Sequence, residues 1–365
     1  MKNWFAKNKN IIITGIIVGI AATILVKLGN PVNMGLCIVC FFRDTVGALG
    51  LHRAGVVQYI RPEIIGIALG AFFLSLRRKE YHVKGGSAPF TRFILGIFTV
   101  IGALMFLGCP LRMILRIAGG DLNAILGLAG FVLGIISGII YLNNGFTLKR
   151  TYTLGKTEGY LFPAMQFLFL LLLIAKPAFI FFSSEGPGAA RAPLLIALIA
   201  GLIIGASAQK SRLCMAGGIR DIVMFKDSHL LAGFLAILIT GFLGNLVIGT
   251  FNLGFLGQPV AHADGLWNFL GMALCGLGAV LLGGCPLRQI ILSAEGNIDS
   301  VITVVGMYIG CAVAHNFGLA SSGAGPTMNG RIAVIIGLLV VAAIGFLNID
   351  RSTEMKLKGD VTLEN

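Results

Sequence analysis

The sequence has 365 residues, of which 56% are hydrophobic and only 12% are charged, and its mean hydropathy is +0.91. A soluble protein of this length needs far more charged surface, so the composition excludes an ordinary soluble enzyme and a disordered chain. A net charge of +13, from 28 Lys and Arg against 15 Asp and Glu, would suggest a nucleic-acid partner in a soluble protein. Here the charges fall in loops between apolar runs, which is typical of an all-α polytopic membrane protein.

Ten apolar runs are each long enough to cross a bilayer, which takes about 20 residues. The first follows a basic start and is too long for the apolar core of a signal peptide, so we interpret it as an uncleaved transmembrane helix. In chain order the predicted spans lie near 11–28, 60–76, 93–107, 123–142, 161–182, 192–208, 230–252, 267–284, 299–319 and 331–347. Between them lie four shorter Gly-rich segments, predicted as half-helices that enter the membrane from one side: 35–50, 109–118, 213–225 and 285–294.

The basic residues of the loops predict the orientation. Ten spans place both ends of the chain on one side, and the loops of that side carry 19 Lys and Arg against seven arginines on the other side. Because cytoplasmic loops carry an excess of Lys and Arg, both termini are predicted to lie in the cytoplasm.

An internal repeat is the most informative pattern in the chain. The segment Gly108–Gly120 matches Gly284–Gly296 at eight of thirteen positions, at an offset of 176 residues. A second match lies upstream at an offset of 177, where Leu36-Cys37 and Arg43-Asp44 correspond to Leu213-Cys214 and Arg220-Asp221. Two blocks that agree in order and almost in spacing predict two homologous halves.

The position of the copies predicts that the two halves are inverted. Each half holds four spans and two short segments, and one extra span lies between them, so that five crossings separate a segment from its copy. The predicted units are a first inverted repeat over 1–160, a linking transmembrane helix over 161–191, a second inverted repeat over 192–320, and a last transmembrane helix with a cytoplasmic tail over 321–365. Transporters built in this way bind substrate near the midplane, where the repeats meet.

The repeated Gly-Cys-Pro-Leu-Arg block has the chemistry of an anion site. Proline begins a helix and disfavours helical geometry in the residue before it, so Cys109 and Cys285 should lie at the N-termini of two half-helices. Free N–H groups and the helix dipole favour an anion there. Arg112 and Arg288 add positive charge and bidentate donors. A packing cysteine and a snorkelling arginine would explain a single block, and the recurrence of the block favours substrate binding.

The upstream pair supplies two further cysteines and an Arg-Asp dipeptide in each half. Cys37 and Cys214 are predicted to line the path. An arginine beside an aspartate more often forms an internal ion pair than a ligand site, so a structural ion pair is predicted, with a role in the path as the alternative, for Arg43, Asp44, Arg220 and Asp221. The sequence contains no spacing of a four-ligand zinc site, no phosphate-binding loop and no hydrolase motif, so no metal, no cofactor and no catalytic residue are predicted.

The chain resembles the YeeE/YedE family of bacterial membrane proteins, and most of all its YedE branch, to which selenium transport is attributed. The resemblance covers residues 11–347 and rests on Gly108–Arg112, Gly284–Arg288, Leu36-Cys37 and Arg212–Cys214. Members that take up thiosulfate are hourglass-shaped, with short helices that reach the centre, and their cysteines hold the terminal sulfur of the substrate through S–H···S contacts. The resemblance implies the same role for Cys37, Cys109, Cys214 and Cys285.

One departure leaves the substrate open. Some thiosulfate importers have small and polar residues after Gly-Gly-Cys, where this chain has Pro-Leu-Arg. We therefore predict a transporter, not an enzyme, that carries a small anion containing sulfur or selenium through a cysteine-lined path in the bacterial inner membrane. The alternative is a membrane-embedded relay protein that passes a persulfide between thiols. The predicted partners are this anion and the lipid bilayer, a cytoplasmic sulfur-carrier protein is left open, and nucleic acid is excluded.

Overall fold

The computed structural model describes residues 2–350, and nearly all of its regular structure is helical. Two short strands, β1 (Lys84–Gly85) and β2 (Tyr152–Thr153), pair antiparallel. The helices are α1 (Lys2–Lys27), α2 (Ile38–Ala48), α3 (Pro62–Arg77), α4 (Pro89–Met105), α5 (Pro110–Ala118), α6 (Asn123–Asn143), α7 (Lys156–Ala175), α8 (Gly186–Ala189), α9 (Leu194–Ser211), α10 (Met215–Phe225), α11 (His229–Ile248), α12 (Gly265–Leu281), α13 (Pro286–Ala294), α14 (Ile298–Asn316) and α15 (Met328–Leu347). The predicted cytoplasmic tail after residue 350 lies outside the described residues.

The predicted all-α membrane architecture is confirmed. Within residues 2–350, nine helical segments are long and apolar enough to cross a membrane. The predicted span that is not among these nine segments is 60–76, which corresponds to α3. Its 16 residues extend about 24 Å at 1.5 Å per residue. The span predicted over 161–182 was too long at its end, because α7 stops at Ala175. Lys176 there adopts a left-handed conformation with φ of 47°, and Pro177 cannot continue the helix.

Each of the four predicted half-helix segments forms a short helix, and each of these helices begins directly after a cysteine. The helices α2 and α10 have 11 residues, and α5 and α13 have nine. Even 11 residues extend only about 17 Å, roughly half of the hydrocarbon core. The N-caps are Cys37, Cys109, Cys214 and Cys285.

The long helices pack in matching pairs around these short helices. Helix α3 packs on α9 as α11 packs on α1, and α6 packs on α12 as α14 packs on α4. Glycines allow the close approach: a β-carbon on Gly70 would collide with the backbone of Leu202, and one on Gly205 would collide with the backbone of Ile67. Small residues commonly permit such contacts between membrane helices. Every residue of α2 is buried inside this shell, whereas α10 is buried only over its first four residues, 215–218.

Contacts between the loops and helix ends show which of them lie on the same face of the protein. On one face, which we call the terminal face, β1 pairs with β2, Glu80 accepts a hydrogen bond from Gln209, and the backbone of Asp350 bonds to Gly145. On the other face, which we call the distal face, Ala192 donates to Asn30, Asn33 donates to Gln258, and Asn316 donates to the carbonyl of Leu51. The terminal face also holds the start of the chain, since the ring nitrogen of Trp4 donates to Ser228.

Candidate functional site

The first thiol pair lies where the N-termini of α2 and α5 meet. The sulfur atoms of Cys37 and Cys109 are 3.9 Å apart, the range of an S–H···S contact rather than a disulfide. The Cys109 sulfur also accepts the N–H of Ile38 at 3.3 Å, and the Cys37 sulfur accepts the N–H of Cys40 at 3.3 Å. Both of these N–H groups belong to the first turn of α2, so the N-terminus of that helix points its N–H groups at both thiols.

The second thiol pair repeats this arrangement at the N-termini of α10 and α13. The Cys285 sulfur accepts the N–H of Met215 at 3.4 Å, and the Cys214 sulfur accepts the N–H of Cys285 at 3.5 Å. The N–H of Gly217 donates to the Cys214 sulfur at 3.3 Å, as that of Cys40 does to Cys37. The structure thus brings the four predicted cysteines together in two similar pairs.

The helices that carry the two thiol pairs contact one another inside the protein. Residues of α2 come within 8 Å of α13, and residues of α5 come within 8 Å of α10, measured between Cα atoms. None of the four cysteines is more than 6% exposed. A ligand that contacts these thiols would therefore leave bulk water.

The two predicted arginines differ in their surroundings. Arg112 donates to the carbonyls of Asn33 at 2.7 Å and Val260 at 2.9 Å, and also to the carbonyl of Leu107. Arg288 instead forms an ion pair with Glu295 at 3.5 Å. Both arginines are buried, so each brings a positive charge into the apolar core.

The predicted ion pair of the first half is part of a larger cluster. Asp44 accepts two hydrogen bonds from Arg43, at 2.7 and 2.9 Å, and one from Arg61 at 2.8 Å. All three residues are buried, with no more than 3% exposed. In the second half, Arg220 and Asp221 form a partly exposed pair at 2.8 Å.

Sequence reasoning gave Arg61 no role in the site and counted it only among the seven arginines of the side opposite the termini. The signal was present, because Arg61 directly precedes Pro62 at the start of a helix and so had to lie close to the membrane. Sequence reasoning also gave Cys40 no role, whereas its sulfur accepts a hydrogen bond from Arg112 at 3.5 Å.

The terminal face has a cavity near the end of α13. This cavity of about 250 Å³ is lined by Lys84, Arg212 and Glu295, among others. It also contacts Glu80, whose pKa lies below its usual value because Arg78 and Gln209 donate hydrogen bonds to it. Within residues 2–350, no group of three or more His, Cys, Asp or Glu side chains is placed to hold a metal ion.

Comparison with known proteins connects this site to sulfur transport. Residues 210–354 match the family model described as Sulphur transport. The resemblance predicted from the sequence is confirmed over that segment. It contains Cys214, Cys285 and Arg288, and so the whole second thiol pair.

A similar protein is itself a transporter of a sulfur compound. The thiosulfate transporter TsuA of Escherichia coli strain K12 is 31% identical to this chain over 126 residues. The alignment covers 34% of this chain and 34% of that protein, so the two are matched over about a third of their lengths.

Proposed function

We propose that the protein transports a small anion containing sulfur or selenium across the membrane along the two thiol pairs. The observation that carries this proposal is that four helix N-termini, each capped by a cysteine, meet in two pairs inside the apolar core. The family match over residues 210–354 and the similarity to a thiosulfate transporter support the sulfur chemistry.

The proposed contacts divide between the two ends of the anion. The soft sulfur or selenium atom contacts the polarizable thiols of Cys37, Cys109, Cys214 and Cys285. The free N–H groups of the short helices and the charges of Arg112 and Arg288 offset the negative charge, which would otherwise be costly to place in a membrane. Asp44 also binds Arg61, which precedes α3, and so ties α2 to the start of α3, while the Arg220–Asp221 pair lies within α10.

In an inverted repeat, the two thiol pairs would lie nearer to opposite faces of the membrane. The end of α5 hydrogen-bonds to the loop around Gly254, and the end of α13 hydrogen-bonds to the loop around Lys84. Five long helices, α4, α6, α7, α9 and α11, separate those two loops along the chain. If each crosses the membrane once, the first pair lies nearer the distal face and the second nearer the terminal face.

The proposed orientation follows from the basic residues. Lys27 and Lys176 lie near the ends of α1 and α7 and add to the seven distal arginines, yet the terminal side keeps the excess of Lys and Arg. By the positive-inside rule the terminal face is the cytoplasmic face of the bacterial inner membrane. The substrate then enters past the first thiol pair and leaves past the second.

Uptake by purified protein in proteoliposomes tests this function. Labelled thiosulfate, which has a terminal sulfur, and selenite, whose selenium has an exposed lone pair, are compared with sulfate, in which four oxygens enclose the sulfur. We expect uptake of thiosulfate or selenite and little uptake of sulfate. Cys109→Ala and Cys285→Ala should each reduce this uptake at least about tenfold, because each removes one thiol of a pair.

A matched control separates substrate contact from packing. Cys275 is buried in α12 outside both pairs, so Cys275→Ala should keep uptake near the wild-type rate. Wild-type uptake by both Cys109→Ala and Cys285→Ala would remove the proposed role of the thiols.

A persulfide relay is the alternative, and the 3.9 Å separation of the Cys37 and Cys109 sulfurs is the observation that favours it. In such a relay a thiolate attacks the outer sulfur of a neighbouring persulfide, so that the persulfide moves and the first thiolate is released. Mass spectrometry of protein purified after growth on thiosulfate distinguishes the two functions. A relay requires an added sulfur on one of these cysteines, whereas a transporter requires none.

A further inference from the structure

The two repeated blocks differ in how their arginines are bound. All the nitrogens at the end of the Arg112 side chain have partners: Nε donates to Asn33, Nη2 donates to Val260, and Nη1 donates to Leu107 and to the sulfur of Cys40. This guanidinium ties three stretches of backbone together, and these bonds use four of its five N–H donors, with at least one on each nitrogen.

Arg288 keeps a donor free in the equivalent position. Its Nη2 lies 3.5 Å from Glu295, but its buried Nη1 has no hydrogen-bond partner among residues 2–350. The residue is only 8% exposed, so this nitrogen is also largely removed from water. Buried donors are nearly always paired in proteins, and an unpaired one next to a candidate site points to a ligand.

Two substitutions between the halves account for the free donor. Gly217 stands where Cys40 stands in the first half, so no thiol reaches Nη1 of Arg288. Gln289 stands where Met113 stands, and its amide donates to the carbonyls of Leu282 at 3.0 Å and Gly284 at 3.3 Å. Gln289 thus holds the turn before Cys285, as Arg112 helps to hold the turn before Cys109.

The Arg288 side chain begins close to the second thiol pair, since Arg288 stands three residues after Cys285 in α13. A β-carbon on Gly284 would lie 2.9 Å from Cγ of Arg288, so the arginine side chain runs back past the residue before Cys285. Its ion-pair partner Glu295 lines the cavity that contains Lys84 and Arg212 on the terminal face. An anion bound at the second thiol pair would therefore lie near the Arg288 side chain, which carries the free nitrogen, and near a cavity lined by both basic and acidic residues.

We propose that the second thiol pair is the binding subsite of the transported anion and that Arg288 holds its oxygen end. Arg112, in contrast, is a positioning residue that fixes the first thiol pair and makes no contact with the anion. This inference rests on the proposed function and adds that the two mirror-related blocks have different tasks. The soft atom of the anion lies on Cys214 and Cys285 while an oxygen accepts from Nη1 of Arg288.

The test compares Arg288→Gln, Arg288→Lys and Glu295→Gln in proteoliposomes that take up thiosulfate, or selenite if thiosulfate is not taken up. Arg288→Gln removes the charge and the free donor, and should raise KM about tenfold or more. Arg288→Lys keeps the charge but loses the planar donor, so its KM should be intermediate. Glu295→Gln removes only the ion-pair partner and should leave KM at or below the wild-type value.

The variants separate ligand binding from structure. If Arg288 served only as the partner of Glu295, both Arg288→Gln and Glu295→Gln would change uptake equally, and the inference would be overturned. A wild-type KM for Arg288→Gln would overturn it as well. Absence of uptake of any tested anion by the wild-type protein would instead remove the proposed function itself.

A further variant tests the subsite with Arg288 in place. Gly217→Cys supplies the thiol that Cys40 supplies in the first half, and should occupy Nη1 of Arg288. The new β-carbon would lie 2.6 Å from the end of the Leu230 side chain, which can move aside. We expect a raised KM with normal amounts of folded protein on size-exclusion chromatography. An unchanged KM would show that Nη1 is not used.

Discussion

Asp44 and Asp221 occupy the same position in the two halves of the chain but have different surroundings. Asp44 is fully buried and binds the guanidinium groups of Arg43 and Arg61. Asp221 binds only Arg220, and the two side chains of that pair are 27% and 19% exposed. The carboxylate should therefore contribute much more to the stability of the protein in the first half than in the second.

We predict that Asp44→Asn strongly destabilises the protein. The substitution leaves two buried guanidinium groups without a counter-charge, and breaking a buried ion pair in this way costs about 3–5 kcal/mol. The melting temperature in detergent measures the effect. A thiol-reactive dye reports unfolding, because the seven cysteines are free and buried in the folded protein.

Asp221→Asn is the matched control for this prediction. Because the Arg220–Asp221 pair is partly solvated, its loss should cost no more than about 1 kcal/mol. Equal melting temperatures for the two variants would contradict the difference in burial on which the prediction rests.

The sequence predicted which residues belong to the site better than it predicted which residues they contact. The cysteines at the starts of the short helices were identified, because proline and the repeat mark those positions. The third member of the Asp44 cluster was not, because Arg61 lies 17 residues away in the chain. The repeat also did not predict that Arg112 and Arg288 would have different partners. The difference depends on Cys40, and the equivalent residue of the second half is Gly217.

Among the elements, the contact between α3 and α9 shows how closely these helices pack. A β-carbon on Gly70 would collide with the carbonyl of Leu202, and Gly66 makes a similar contact with Leu198. Because both neighbours are backbone atoms, they cannot move without separating the helices.

We therefore predict that Gly70→Ala destabilises the protein by about 1–3 kcal/mol, the usual cost of overpacking. The sign of the stability change is informative, because alanine in place of glycine normally favours a helix by about 1 kcal/mol. Gly155→Ala is the control, since a β-carbon there would meet no atom within 4 Å. A raised melting temperature for Gly70→Ala would show that α3 and α9 are less tightly packed than the structure has them.

The sequence predicted the elements well where apolar length decides them. Every predicted span and short segment corresponds to a helix, because apolar runs and the Cys-Pro junctions mark them. The end of α7 and the strands β1 and β2 were missed. The residues after Lys176 are apolar yet not helical, and a two-residue strand has too short a pattern to recognise.

For the whole molecule, the proposed function requires that the two thiol pairs lead to opposite sides of the membrane. The loop contacts of α5 and α13 support this arrangement, since five long helices lie between the two loops that they contact. A protein with both pairs opening on one side could bind an anion but could not pass it across.

Side-specific labelling of two introduced cysteines tests this arrangement. Leu256 lies in the distal loop that follows α11 and is 79% exposed, while Tyr152 lies in β2 on the terminal face and is 65% exposed. We predict that an impermeant maleimide labels Leu256→Cys in intact spheroplasts, and labels Tyr152→Cys only after the membrane is opened. The seven native cysteines should give little background, because all of them are buried. Labelling of both positions from the same side would place the two loops on one face, and transport from the first thiol pair to the second would then have no direction across the membrane.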